Sequence, residues 1–288
     1  SLKTAAWRTD TDIPPTGPVA LYSELITDVL LATNREPFGE DVRLGVADGY
    51  KDFAARAAWA SVAEFVGKAI SIEEDIESNE IAVGKRYFPS LDSAGNPLGS
   101  WALFVTDNLD NGAGYASAYS GAPAFAGLLA KGFDIIGRSF LDPDHSESCT
   151  TSCQHCLRHY GNRMNHQSLD WRLSLDLVET LAGRRRTFDL SPVWWQQYVS
   201  KILIKRLEQL THASWQPIAT SAGECLVSNR AHGLLPIHPL TNANHRSFHA
   251  KLMQARQETG NPAIRPLNLF EFERGPVTAL QKALTATR

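Results

Sequence analysis

Three of the four cysteines fall within eight residues, Cys149-Thr-Thr-Ser-Cys153-Gln-His-Cys156. Thiols at C-x3-C-x2-C spacing with histidines close by are the donor set of a tetrahedral zinc site, because a short loop lets successive side chains converge on one point. Disulfides belong to small, cysteine-dense secreted scaffolds. A chain of 288 residues with four Cys and no signal-like start points instead to a reducing, cytoplasmic setting, and zinc leads over free or catalytic thiols. Cys153 and Cys156 also have the spacing of a redox C-x-x-C, but the third cysteine has no part in that chemistry and no thioredoxin-type βαβ pattern precedes it. For the fourth ligand, His155, His159, His166 and Cys225 all qualify by type. His155 lies between two ligands and is expected to point away. His159 shares a face with Cys156 if a helical turn begins there. His166 closes a longer loop, the usual geometry of a zinc knuckle, and is the expected ligand, with Cys225 next.

A net charge of −3 and a pI near 6.3 exclude a surface that is basic overall, so any nucleic-acid contact has to be local. The local candidates are the run Arg184, Arg185 and Arg186, with Arg158, Arg163 and Arg172 close by in sequence. The bland reading of such charge is solvated surface; the sharper one is phosphate binding.

Two sets of carboxylates invite an enzymatic reading. Asp107 and Asp110 lie in a glycine-bearing turn, Thr106 to Tyr115, between an apolar run and a small-residue helix. That arrangement can expose backbone N–H groups to an anion, although a tight turn and a helix-capping role explain it as well. Glu271 and Glu273 flank one residue on an expected strand, which would set both on one face as a metal-dependent nuclease requires. No G-x-x-x-x-G-K-[ST], H-E-x-x-H, G-x-S-x-G or G-x-G-x-x-G occurs, which removes a P-loop motor and the common metalloprotease, esterase and dinucleotide sites.

The elements that must position these groups follow from periodicity. Apolar residues alternate or cluster as strands at Val19 to Thr33, Val42 to Val46, Ile81 to Phe88 and Trp101 to Val105. Helical spacing runs from Asp52 to Ile70 and again from Leu169 to Leu181, where Gly183 ends it. Thr187 to Ser191 reads as a linker. Beyond it come a helix at Trp194 to Leu210, strands at Trp215 to Ile218, Glu224 to Val227 and Leu234 to Ile237, a helix at His249 to Gln257, a strand at Leu267 to Phe272 and a last helix. With 43% hydrophobic and 9% aromatic residues there is enough apolar surface for a real core. No apolar run reaches the roughly 18 residues of a membrane span, so the chain is expected to be soluble. Its start at Ser1 suggests a segment of something longer. The expected fold is mixed α/β (α+β): a zinc-knuckle module over residues 1–186 and a small α/β tail over 187–288.

The run Cys149-x3-Cys153-x2-Cys156-Leu157-Arg158-His159-Tyr160-Gly161-Asn162-x3-His166-x2-Leu169-Asp170-Trp171-Arg172 resembles the C-terminal zinc-binding domain of unknown function of MrfA/YprA-type DEAD/DEAH-box helicases and of the DISARM phage-defence component that carries the same module. Trp171 stands where that family has Arg, and Arg172 follows one position late. Ile26 to Leu30 resembles the family's opening strand, and Asp107 to Tyr115 its Asp-rich glycine turn, with Asn111 in place of the first glycine. The likeness spans roughly Val19 to Ala182. It implies a zinc-stabilised, non-catalytic accessory module that contacts DNA and a helicase motor in phage defence or DNA repair. The alternatives are a nuclease-like enzyme using Asp107/Asp110 or Glu271/Glu273, and a protein-binding scaffold.

Overall fold

In the computed structural model, residues 26–34, 38–45, 51–91, 97–109 and 112–285 are described. Helix α1 (Phe53–Glu73) is the axis of the first half. Its run of alanines favours helix and lets neighbours approach closely, and Asp52 caps it by accepting the N–H of Ala55 at 2.8 Å. Burial extends around most of its circumference, from Ala54 to Ile70, because it is covered on several sides. One cover is an antiparallel sheet of β1 (Val29–Thr33), β2 (Ile81–Leu91) and β3 (Pro97–Asp107) in the order β1-β3-β2, with Leu103 opposite both Ala32 and Lys85. Gly67 of α1 faces Val83 of β2 so closely that a Cβ there would lie 2.8 Å from the valine Cγ1. Glycine is what permits that approach.

The expected strand at Val19 to Thr33 is described only from residue 26, and that at Val42 to Val46 only to residue 45. Val42 makes a single antiparallel bridge to Thr241, and a 3-10 turn, Arg43–Gly45, follows it directly. The segment that pairs with it comes from the far end of the chain, with the Arg43 N–H on the Leu240 carbonyl and the Asn242 N–H on the Asp41 carbonyl, and among the described residues the pairing goes no further than this bridge.

After the glycine turn come α2 (Tyr115–Ala118) and α3 (Ala122–Gly132). A π-helical turn, Phe133–Gly137, then joins α3 to α4 (Arg138–Leu141) without a break, and Pro143 starts a one-turn α5 (Pro143–Ser146) capped by Asp142. The knuckle loop follows, containing a 3-10 segment, Tyr160–Asn165, and leads into α6 (Trp171–Leu181), which packs beside α1. The expected helix at Trp194 to Leu210 is α7 (Val193–Gln197), a π-helical stretch Tyr198–Leu203 and α8 (Ile204–Thr211), ended by His212 in the left-handed conformation at φ 50°. A second sheet has the order β4-β5-β6-β7, from β4 (Trp215–Thr220), β5 (Gly223–Ser228), β6 (Gly233–Ile237) and β7 (Ile264–Asn268). The β6–β7 pair is parallel and is crossed by α9 (Arg246–Thr259). α10 (Leu269–Arg274) and α11 (Pro276–Thr285) close the described chain.

The strand expected at Leu267 to Phe272 stops at Asn268. Its side chain accepts from the N–H groups of Phe270 and Glu271 and starts α10, a capping signal that outweighs the alternating apolar pattern. The fold is thus mixed α/β with two sheets. Its main apolar core does not stop at residue 186: Leu30, Trp59, Leu129, Trp171, Trp195, Phe270 and Leu280 belong to one continuous cluster.

Candidate metal centre

Four side chains converge next to the N-terminus of α6. His145, Cys149, Cys153 and Cys156 bring their donor atoms within 4.8 Å of one another, a group that could hold a metal ion. The sulfurs of Cys149 and Cys156 are 3.9 Å apart; sulfurs 2.3 Å from a shared tetrahedral ion stand about 3.8 Å apart. Each donor has a local reason for its place. His145 and Cys149 are four residues apart, and the N–H of Cys149 bonds to the carbonyl of His145 at 2.8 Å, continuing the turn of α5 so that both project to one side. Cys153 and Cys156 close a tight turn in which the N–H of Cys153 donates to the sulfur of Cys156 at 3.0 Å, and the N–H groups of Cys156 and Arg158 donate to the carbonyl of Cys153.

The surroundings hold this loop from two helices. From α6, the indole N–H of Trp171 reaches the carbonyl of Cys149 at 2.9 Å, its backbone N–H the carbonyl of Thr151, and Arg172 the carbonyl of Thr150. From α1, Lys68 Nζ donates to the carbonyls of His155 and Cys156. Burial pulls the Lys68 pKa down, and the sulfurs of Cys156 and Cys153 act against that pull. A cluster of thiolates carries more negative charge than one divalent ion cancels, and Lys68 is placed to offset the excess.

The ring of His145 fits a ligand role. Its Nδ1 lies 2.9 Å from the Phe140 carbonyl, which can only accept, so the proton sits on Nδ1 and the lone pair on Nε2. That Nε2 is buried beside the Cys156 sulfur and has no hydrogen-bond partner of good geometry, a cost unless a shared metal ion takes the lone pair. Phe140 packs against the ring at a shallow tilt, centroids 5.5 Å apart, and Trp171 meets it edge-on at 5.4 Å. Burial opposes charge on the ring, but the Cys156 sulfur and the Phe140 carbonyl outweigh it and raise its pKa. Among the thiols, the hydrogen bond with Cys156, with burial and the nearby sulfurs added, raises Cys149. The same contact, helped by His145 and backbone N–H groups, pulls Cys156 down despite its burial.

His166 is not in this group. Its Nε2 lies 3.0 Å from the carbonyl of His159 and 2.9 Å from Oδ1 of Asn162, so it fastens the loop it was expected to close through metal. His159 instead meets the Glu64 carboxylate of α1 at 3.0 Å. Cys225 lies in the separate cluster between the second sheet and α9, where burial raises its pKa. His155 is exposed. The signal for His145 is the spacing H-x3-C, one helical turn ahead of the first cysteine, on the opposite side of the triplet from the expected ligand His166.

The six arginines do not act alike. Arg172 is 1% exposed, its guanidinium 4.3 Å from the Trp171 ring centre and 4.6 Å from that of Tyr198, and a group so enclosed offers no surface to a phosphate. Arg185 is committed to Asp176 at 3.3 Å and Asp189 at 2.7 Å. Arg158 is half-buried with Nε donating to Ser152. Arg163, Arg184 and Arg186 are exposed, Arg184 within reach of Glu179.

The carboxylates have structural work. Asp107 is fully buried, and its two oxygens accept four backbone N–H groups, those of Ala113, Gly114, Tyr115 and Ala116, at 2.7 to 3.1 Å. The anion that the glycine turn invites is therefore the chain's own side chain. Asp110 lies outside the described residues. Glu271 and Glu273 sit two apart on α10, about 200° around a helix, so they do not share a face. Glu271 pairs with Arg43 and Lys282, while Glu273 takes Arg206 and the Tyr198 hydroxyl.

Fold and site together define a mixed α/β chain with a Cys3His centre that could hold a metal ion. No family model matches the chain, and the comparisons with curated proteins and with solved structures gave no match. Among the described residues no helix is long and apolar enough to cross a membrane.

Proposed function

We propose that this chain is a zinc-stabilised, non-catalytic accessory module of a DNA helicase system, contacting nucleic acid and a helicase motor in phage defence or DNA repair. The observation that carries the zinc part is the convergence of His145, Cys149, Cys153 and Cys156, with the unpartnered Nε2 of His145 among the sulfurs. Three soft thiolates and an imidazole in tetrahedral spacing favour zinc over harder divalent ions, and a closed four-donor set leaves no open position for catalysis. The helicase and DNA parts rest on the resemblance of the knuckle run and on local positive charge at Arg163, Arg184 and Arg186. The 288 residues contain no P-loop, so a motor has to be supplied from outside them. Of the carboxylates of the nuclease alternative, Asp107, Glu271 and Glu273 are already committed to backbone N–H groups and to ion pairs, which weighs against it.

Elemental analysis of the purified chain should find one zinc per chain. The zinc-loaded chain should bind DNA with an affinity that falls as salt rises and should raise the DNA-stimulated ATPase rate of a motor encoded beside it. Absence of bound metal would overturn the zinc reading, and DNA cleavage with added magnesium or manganese the non-catalytic one.

A further inference from the structure

The tip of the knuckle carries a feature that neither the metal centre nor the core uses. In the 3-10 segment Tyr160–Asn165, Tyr160 is 82% exposed and Met164 89% exposed, the two most open large apolar side chains among the described residues. The guanidinium of Arg163 lies 4.6 Å from the Tyr160 ring centre. The loop that presents them is tied down. Asn162, 5% exposed, accepts the N–H of His159 at 3.0 Å, donates to the carbonyl of Leu157 at 2.8 Å and receives His166. His159 is in turn fastened to Glu64 of α1. An aromatic ring on a mobile loop would lie down on nearby apolar surface; this one is held out by buried polar ties beneath it.

We propose that Tyr160 and Arg163 form a stacking platform for an unpaired base of single-stranded nucleic acid, the phosphates on either side lying against the local positive charge. Three features select this ligand. The guanidinium covers part of the ring and leaves the remaining π surface to solvent, which suits a flat, polar-edged base. From Ser148 to Leu169 there is no Asp or Glu while Arg158 and Arg163 fall in the same span, and the Glu64 carboxylate that reaches this loop from α1 is taken up by His159, so the loop's own charge complements a phosphate backbone. Duplex DNA hides its base faces, which leaves a strand opened by a motor as the matching form. The inference rests on the nucleic-acid reading above and makes it specific as to residue and strand form.

The test is fluorescence anisotropy of the zinc-loaded chain with a labelled oligothymidylate and with a labelled duplex of equal length, at low and moderate salt. Single-stranded DNA should bind more tightly than duplex. Tyr160→Ala should weaken it by about fivefold or more, the contribution of one stacked base, while Tyr160→Trp and Tyr160→Phe keep binding and Arg163→Ala lowers it. Zinc content and melting temperature should stay at the wild-type value in all four variants, because neither side chain is part of the core. If Tyr160→Ala binds single strands as well as wild type while Arg184→Glu with Arg186→Glu does not, the platform is wrong and the wider DNA reading stands. If the wild-type chain binds neither DNA at low salt, both fall. Loss of binding to a protein partner on Tyr160→Ala, with no DNA affinity in the wild type, would make the tip a protein contact and overturn the platform equally.

Discussion

The centre turns on which imidazole faces the sulfurs. His145 and His166 both lie near the cysteines in sequence, yet one has a buried lone pair with no partner and the other has both its neighbours as acceptors. Substituting each should therefore have different effects. His145→Ala or Cys153→Ser should lose most of the bound zinc and with it much of the folding free energy that a structural site supplies, on the order of 10 kcal/mol in isolated zinc-finger peptides. His166→Ala should keep one zinc per chain and cost only its hydrogen bonds, about 1 kcal/mol each. Metal content by elemental analysis and melting temperature by circular dichroism separate the two, and zinc retained in His145→Ala would move the fourth ligand elsewhere. The cysteine triplet was legible because its spacing is local. The histidine was not, because the choice between upstream and downstream donors depends on the turn that Asp142 and Pro143 set up and on the carbonyl of Phe140.

At the scale of elements, α6 is the joint between the two halves of the chain. Its Asp176 is fully buried and accepts from Arg185 at 3.3 Å, Trp194 at 3.1 Å, Trp195 at 2.9 Å and His238 at 2.8 Å. The His238 ring is completed on its other side by the N–H of Leu240. One carboxylate thus binds α6, α7 and the end of β6. Removing it strands several donors in a dry site, so Asp176→Ala should destabilise by about 3–5 kcal/mol, read as a large fall in the urea midpoint with zinc content retained. A loss under 1 kcal/mol would show that water replaces the carboxylate. The helices α1, α6 and α9 were legible from their apolar spacing. The π-helical insertions at Phe133–Gly137 and Tyr198–Leu203 were not, since periodicity cannot register one extra residue per turn. Nor was α10, whose onset depends on the cap by Asn268.

Across the whole molecule, buried charge sets the response to pH. Asp170, which caps α6, is raised by burial to about 6 against a model-peptide value of 3.8, with Arg172 and Arg274 only partly offsetting the desolvation. A folded-state pKa above the unfolded one means that the folded chain binds the extra proton. The contribution of this group is therefore most favourable below about pH 4 and is lost as pH rises to about 6. Asp170→Asn keeps the cap and removes the titration, so the difference between wild-type and variant unfolding free energies should drift between pH 4 and 6 and level off above. A flat difference over that range would refute the assignment. Zinc works in the other direction, since its thiol ligands must give up protons, and acid should release it. What the sequence by itself determined is what spacing and composition can carry: the cysteine triplet, the amphipathic helices, the mixed α/β class and the absence of a P-loop. Tertiary structure alone decided which histidine joins the sulfurs, which arginines reach solvent, and that Asp107 serves the fold. Those outcomes depend on groups far apart in the chain competing for the same buried space, and no local pattern records who wins.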